Sequence, residues 1–417
     1  MTKVIDISND YAYHEFGTSV ENNVTGYVNH SLSYNEYFRR YLQNNIPCVI
    51  QSATDAWPCR QMWQADNAPN FEYIKRVFGS CIAPVADCTA KYYNSQLKDD
   101  MALADYVDYW ITYRDLSDPK NMPLLYLKDW HCVKNNPHIP IYNVPQYFAS
   151  DWLNEYYTEQ EELNDDYMFI YMGPKGTWTP FHADVFSSYS WSANIVGKKR
   201  WLLFAPGDEE SLRDKHGKLI YDITTSNELL NQTMYPNYDE DRLKRYEIIQ
   251  QPGEIVFIPS GWHHQVWNLE DTISINHNWI NACNVWNVWI SLKKELCAVM
   301  REVEDCRDMD GWDDHCQLML KASHGMDYVQ FYKFLSFLSK KRMALIMKDT
   351  PVISFHTWYL GRNHCFYDLK QIRLVLDDMI RDVEEKCIHS LIFSENEARF
   401  LVDEINKILA VNPSFGD

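Results

Sequence analysis

The sequence predicts a mainly β domain with helices ahead of it and a helical region behind it. Three observations carry this expectation. Between about residues 124 and 280, short aromatic and β-branched runs recur between turn residues, which is the pattern of a sandwich or barrel. Upstream, residues 31–115 hold helical patterns around one apolar strand, and beyond residue 284 the apolar spacing lengthens to helical period.

Taken in order, "SLSYNEYFRRYLQNN" (31–45) reads as a helix and "IPCVIQSA" (46–53) as a short strand with Pro47 near its start. "APNFEYIKRVFG" (68–79) and "DDMALADYVDYWITYRD" (99–115) give two further amphipathic helices. The strand runs are "LLYLKDW", "YMFIYM", "SWSANIVG", "RWLLFAP", "GEIVFIPSG" and "TISINHNWI". The tail repeats apolar residues at Val285, Trp289, Leu292, Leu296, Val299 and Val303, and helical spacing returns over 327–347 and 368–385. Ser394 and Glu397 form a capping box ahead of a last helix. These stripes are packing faces. Asp313, Asp314, His315 and Cys316 are adjacent residues that would point different ways on a helix, and they are expected to form a solvated turn and not a metal site. The resulting division is a lead-in over 1–34, a β domain with its helical N-terminal part over 35–285, and a helical region over 286–417.

Composition narrows the class of function. At 46% apolar and 15% aromatic, the 417-residue chain can build a sizeable core. The 58 acidic residues against 39 basic give a net charge of −19, which argues against nucleic-acid binding and favours a cationic partner. Lys198-Lys199-Arg200 and Lys340-Lys341-Arg342 are too short to reverse that. No run has the ~18 apolar residues of a membrane span, and the first residues lack the pattern of a secretory signal. The expected location is the cytoplasm, with the nucleus as the alternative. Eleven scattered cysteines without a C-x-x-C pair are read as reduced thiols. The sequons at Asn23, Asn29 and Asn231 carry no information without export.

The chemistry concentrates in "TPFHADVF" (179–186). H-x-D alone is a weak signal, but strand, turn and strand surround it, and residues two apart on a strand share a face. His182 and Asp184 are therefore expected to point together into the space the sheet encloses. A metal held by both needs a third ligand, and "PSGWHH" (259–264) offers His263 or His264, of which alternation lets only one face inward. Two histidines and a carboxylate occupy one face of an octahedral ion and leave three positions open, the arrangement of non-haem Fe(II) oxygenases. Tetrahedral zinc is a weaker fit.

T-x-x-H-x-D, a lysine seventeen residues after that histidine within "GKKRW", then P-x-G-W-x-H and "NLEDTISINHNW", resemble the JmjC (jumonji C) family of 2-oxoglutarate oxygenases. The resemblance covers residues 35 to 285 and takes in "IPCVI" and "LLYLKDW". It implies a double-stranded β-helix, a jelly-roll or cupin-like barrel with Fe(II) on its inner face. It implies His182, Asp184 and His264 as iron ligands, the last because the family's histidine follows the proline by five residues, here Pro259. Lys199 matches the lysine that pairs with the far carboxylate of 2-oxoglutarate, and Thr179 and Tyr126 match hydroxyls that bind the same group. An ammonium on an apolar inner wall needs an anion; Lys198, of opposite parity, is expected in solvent. Ser192 and Asn276 stand where relatives carry asparagine and threonine, so the cosubstrate contacts there depart from the family pattern. Trp191, Trp262 and Asn278 border the site.

The implied reaction consumes dioxygen and 2-oxoglutarate and hydroxylates a substrate carbon. A closer resemblance, through the "GPKGTWTPFHADVF" and "SGWHHQVWNLEDTISINHNW" stretches and the tail, is to family members that hydroxylate a lysine of the eukaryotic peptide-chain release factor. It implies that protein as partner. A histone lysine demethylase and a non-catalytic cupin-like binding module are the competing readings. Retention of all three ligands and the lysine argues against the module. The acidic segments 161–166 and 238–242 are candidates for the mouth of the site, where a cationic substrate would dock.

Overall fold

The computed structural model describes residues 3–8, 26–29, 31–116, 119, 122–160, 162–163, 165–225, 229–348, 353–354, 358–386, 388 and 395–411. The strands of its two larger sheets, in chain order, are β1 (Gly26–Asn29), β2 (Cys48–Gln51), β3 (Ile82–Tyr92), β4 (Ser95–Ala102), β5 (Leu125–Trp130), β6 (Met168–Gly173) and β7 (Trp178–His182). There follow β8 (Tyr189–Val196), β9 (Lys199–Phe204), β10 (Tyr246–Gln250), β11 (Ile255–Ile258), β12 (His263–Asn268) and β13 (Thr272–Trp279). A nine-stranded sheet has the order β1-β2-β11-β8-β13-β6-β5-β3-β4, and a four-stranded sheet the order β7-β12-β9-β10.

From β6 to β13 the chain passes between the two sheets, placing β6, β8, β11 and β13 in the large one and β7, β9, β10 and β12 in the small one. Every pairing among these eight is antiparallel. This is the double-stranded β-helix. Part of the space between the sheets is filled by Val49, Trp201, Leu203, Ile248, Val256, Ile258, Trp262 and Val266. Each such side chain contributes about 1.5–3 kcal/mol by leaving water, and together they hold the sheets apart at fixed spacing. The outer face of the small sheet, at Phe181 and Phe204, is covered by 205–225 and 229–243 through Leu212, Ile220, Leu229 and Tyr235.

Helices pack against the large sheet and against one another. They include α1 (Tyr34–Tyr37), α2 (Phe71–Phe78), α3 (Leu103–Asp115), α4 (Trp152–Glu159), α5 (Val285–Glu302), α6 (Trp312–His324), α7 (Tyr328–Lys348), α8 (Arg362–Glu385) and α9 (Glu395–Leu409). α1 starts on a capping box, Ser33 with Glu36, and runs into a π turn over Phe38–Leu42. One core cluster contains both sheet residues such as Trp191 and Trp279 and tail residues such as Trp289, Phe331 and Leu376. The change of period after residue 284 is thus a change of secondary structure inside a shared core.

A buried polar knot ties the tail on. Arg342 of α7, fully buried, donates from Nη1 (2.5 Å) and Nη2 (2.9 Å) to Glu155 of α4 and from Nε (2.9 Å) to Asp368 of α8. His364 Nδ1 lies 3.1 Å from the other oxygen of Asp368, and its Nε2 lies 2.8 Å from Tyr34 Oη. Burial works to raise the Asp368 pKa, and His364 and Arg342 override it and hold the carboxyl below the usual range.

Three expectations need correction. Residues 82–102 form a β-hairpin absent from the sequence reading, and the expected helix at 99–115 begins only at Leu103 because Asp99–Ala102 complete β4. Asp313 to Cys316 are not a turn: they lie in the first turns of α6, whose Cys316 is buried, because Trp312, Cys316 and Leu320 make a helical stripe. The capping box at Ser394 falls outside the described residues, although α9 itself spans Glu395–Leu409.

Candidate active site

β7 ends at His182, which pairs with His264 of β12 across the small sheet. Their rings stand 4.4 Å apart between centroids. Asp184 does not share the strand with His182, contrary to the alternation argument. A register shift between Thr179 and His182 ends the regular ladder, and the backbone turns into a single 3-10 turn, Val185–Ser187, with Asp184 at its N-cap. The carboxylate reaches the histidines from this turn. Ligand atoms of His182, Asp184 and His264 all lie within 4.8 Å of one another.

Each group is prepared for a metal. Nδ1 of His182 lies 2.8 Å from the Pro180 carbonyl and Nδ1 of His264 lies 3.0 Å from the Trp262 carbonyl. Carbonyls only accept, so each Nδ1 carries the proton and each Nε2 keeps its lone pair for a ligand. Burial, then the neighbouring His264, pushes His182 down to about 4, and burial also lowers His264. Both rings are neutral near pH 7. Asp184 accepts from Ser190 Oγ on one oxygen (2.7 Å) and from Asn278 Nδ2 on the other (3.0 Å), which fixes its plane. Two imidazole nitrogens and one oriented carboxylate suit a divalent transition ion and leave part of its coordination sphere free.

His263 faces the other way. Its ring packs 5.5 Å from Phe181 and its Nδ1 lies 3.8 Å from Glu209, on the covered outer face of the small sheet.

A narrow cavity adjoins the three ligands and is lined by Tyr126, Tyr171, Thr179, Ser192, Lys199 and Asn276, among others. At its far wall Lys199, 2% exposed, donates to Ser274 Oγ (2.7 Å) and lies 3.4 Å from Tyr126 Oη. Neither partner is an anion, and burial followed by the charge of Lys128 pushes Lys199 down to about 7. Burial raises Tyr126. Ser192 Oγ is buried and has no hydrogen-bond partner among the described residues. Asn276 Nδ2 donates to Ser274 Oγ (3.2 Å). Lys198 stands in solvent, paired with Glu270 at 2.9 Å.

Sequence reasoning missed Ser190, Ser274 and Lys128. The first two were readable, because Ser274, Asn276 and Asn278 form the polar half of an alternation with Ile275, His277 and Trp279, and Ser190 sits two before Ser192. Asn278, read only as a border residue, touches the Asp184 carboxylate. Trp191 stacks on His277 at 4.0 Å and also lines the cavity, whereas Trp262 lies outside the lining and its Nε1 donates to the Asn45 carbonyl. Lys128, buried and hydrogen-bonded to Gln96 (2.8 Å), carried no visible signal. Among the described residues, the acidic segments contribute no lining residue to the cavity: Asp166 is buried 2.6 Å from His131 Nδ1, and 238–242 borders a separate surface depression.

Comparison with known proteins gives concordant results. A family model described as "JmjC domain, hydroxylase" matches residues 169–279. The 2-oxoglutarate and iron-dependent oxygenase JMJD4 of Gallus gallus is 45% identical over 385 residues, 88% of this chain and 89% of that protein. Its Homo sapiens counterpart is 41% identical over 374 residues, 89% of this chain and 88% of the relative. Arginine-specific demethylase JMJ20 of Arabidopsis thaliana is 41% identical over 331 residues, 76% of this chain and 70% of the relative.

Proposed function

From the premise that this chain belongs to the JmjC family of 2-oxoglutarate- and iron-dependent oxygenases, we propose that it hydroxylates a lysine side chain of a protein, the eukaryotic peptide-chain release factor. Iron, 2-oxoglutarate and dioxygen supply, when bound, the oxidation of a substrate C–H bond coupled to decarboxylation of the cosubstrate to succinate.

The chain's own residues prepare that chemistry. His182, Asp184 and His264 are assigned to the iron, with the carbonyls of Pro180 and Trp262 fixing the tautomers and Ser190 and Asn278 fixing the carboxylate. Lys199 takes the far carboxylate of 2-oxoglutarate, with Tyr126, Thr179, Ser192 and Asn276 as the polar groups around it. The single observation that carries the assignment is Lys199: a cation 98% buried with only hydroxyl partners, facing the same cavity as two metal-ready imidazoles. Such a lysine is stabilised by the anion it is built to receive.

The protein substrate is supported by the net charge of −19, which favours a cationic segment, and by the similarity to release-factor hydroxylases in the motif stretches quoted above. The proposed site of action is the cytoplasm. Among the described residues, no helix is long and apolar enough to cross a membrane. A second reading is favoured by the relative named as an arginine-specific demethylase: hydroxylation of an N-methyl group, which then leaves as formaldehyde.

Mass spectrometry of release factor incubated with the full chain, Fe(II) and 2-oxoglutarate decides between them. The proposal expects one added oxygen on a lysine. Loss of a methyl group from a methylated arginine peptide, with release factor unchanged, supports the second reading and contradicts the first.

A further inference from the structure

The turn that carries Asp184 is unusual in its backbone. Phe186 and Ser187, neither a glycine, have φ of 59° and 53°, a conformation that side chains of this kind adopt only where the surroundings impose it. The surroundings come from the C-terminal helices. The Phe186 ring is buried, 5.5 Å from Tyr167 and 5.7 Å from His324 at the end of α6. It rests on Gly325, the C-cap of α6, so closely that a Cβ there would stand 2.7 Å from Phe186 Cε1. His324 Nε2 in turn lies 3.3 Å from Ser291 Oγ of α5, and α5 itself packs on the 185–187 turn. On the other side of the turn, one amide, Asn278 Nδ2, holds both Ser188 Oγ (3.2 Å) and the Asp184 carboxylate (3.0 Å).

We propose that Phe186 is a positioning residue through which the C-terminal helices set the iron-binding carboxylate: the corner at His324–Gly325 presses the ring, the ring holds the left-handed turn, and the turn places Asp184 against His182 and His264. The tail is then part of the metal site, although none of its described side chains lines the cavity beside the metal ligands. This inference rests on the assignment of Asp184 to iron. It explains why a glycine closes α6 at this point, where a larger residue would meet the aromatic ring.

The test is the equilibrium affinity of the full-length chain for Fe(II), measured anaerobically by chelator competition, with thermal stability recorded alongside. Gly325→Ala is expected to weaken iron binding at least about tenfold. Gly311→Ala is the control, because Gly311 caps the other end of α6 at φ 76° and a Cβ there would meet nothing within 4 Å, so it carries a left-handed backbone penalty without the push. It is expected to keep iron affinity within about twofold. Phe186→Leu withdraws the ring atoms that the new Cβ would meet; it weakens iron binding by itself, and adding Gly325→Ala to it brings no further loss. Equal iron affinity in Gly325→Ala and Gly311→Ala, or losses from Gly325→Ala and Phe186→Leu that multiply in the double variant, would overturn the proposal. Asp184→Ala separates this from failure of the underlying assignment: if that variant keeps wild-type iron affinity, the carboxylate is not a ligand and the premise falls with it.

Discussion

Two of the buried charges among the described residues, Arg342 and Lys199, are built on opposite principles. Arg342, in the helical layer, meets two carboxylates, three short hydrogen bonds and a histidine that completes one of those carboxylates. Lys199, in the barrel, meets two hydroxyls and a second cation, Lys128, which lowers its pKa further. A buried charge costs several kcal/mol unless it is paired. Arg342 is paired within the chain, so its role ends with holding the tail to the barrel. Among the described residues Lys199 meets no counter-ion, and under the proposed assignment an anionic ligand supplies it. The difference separates architecture from binding without reference to any relative.

That contrast is open to direct attack. The largest effect on stability belongs to Arg342→Met, which removes the buried guanidinium and leaves Glu155 with Lys341 (2.8 Å) and Asp368 with His364 (3.1 Å); a loss of ~3–5 kcal/mol is expected from one-sided removal of a buried pair, read from the denaturant midpoint. A midpoint at wild type would place the knot outside the account. Lys199→Met removes a cation with no anion, so its folding stability holds or rises while its affinity for 2-oxoglutarate falls by about two orders of magnitude or more. Calorimetric titration with 2-oxoglutarate measures the second, and a stability loss as large as that of Arg342→Met would collapse the distinction between the two sites.

Proton linkage sharpens it. The pKa of Lys199 is pushed down to about 7, and only the protonated form pairs with a carboxylate. Affinity for 2-oxoglutarate is therefore full below pH 7 and falls by up to about tenfold per pH unit above it, until the pair's own raised pKa is passed. In Lys199→Met that slope is expected to vanish. The smallest effect belongs to Lys198→Ala, whose exposed pair with Glu270 contributes ~0–1 kcal/mol and has no path to the cosubstrate; a drop in affinity matching Lys199→Met would reverse the parity of β9.

Much of this was legible in the residues because the barrel is read by alternation. His264, Lys199 and Val266 line the cavity, while His263 and Lys198 lie outside it. Alternation failed where strands stop: Asp184 sits in a turn beyond the end of β7, and its direction depends on φ values at Phe186 and Ser187 that sequence does not encode locally. The β3–β4 hairpin escaped notice because β4 is a sheet edge whose "SQLKDDMA" is mostly exposed and polar, so it offers no hydrophobic period. Partners distant in sequence, such as Glu155 with Arg342 or Phe186 with Gly325, left no trace that one sequence could reveal.

The adjacent histidines of β12 test the central claim most directly. Bound iron per chain, measured for His263→Ala and His264→Ala purified side by side, should separate them completely. His264→Ala is expected to lose the metal and with it succinate production from 2-oxoglutarate, while His263→Ala keeps iron near one per chain, since its ring packs on Phe181 outside the cavity. Iron retained by His264→Ala and lost by His263→Ala would contradict the account, and the register of the whole strand would fall with it.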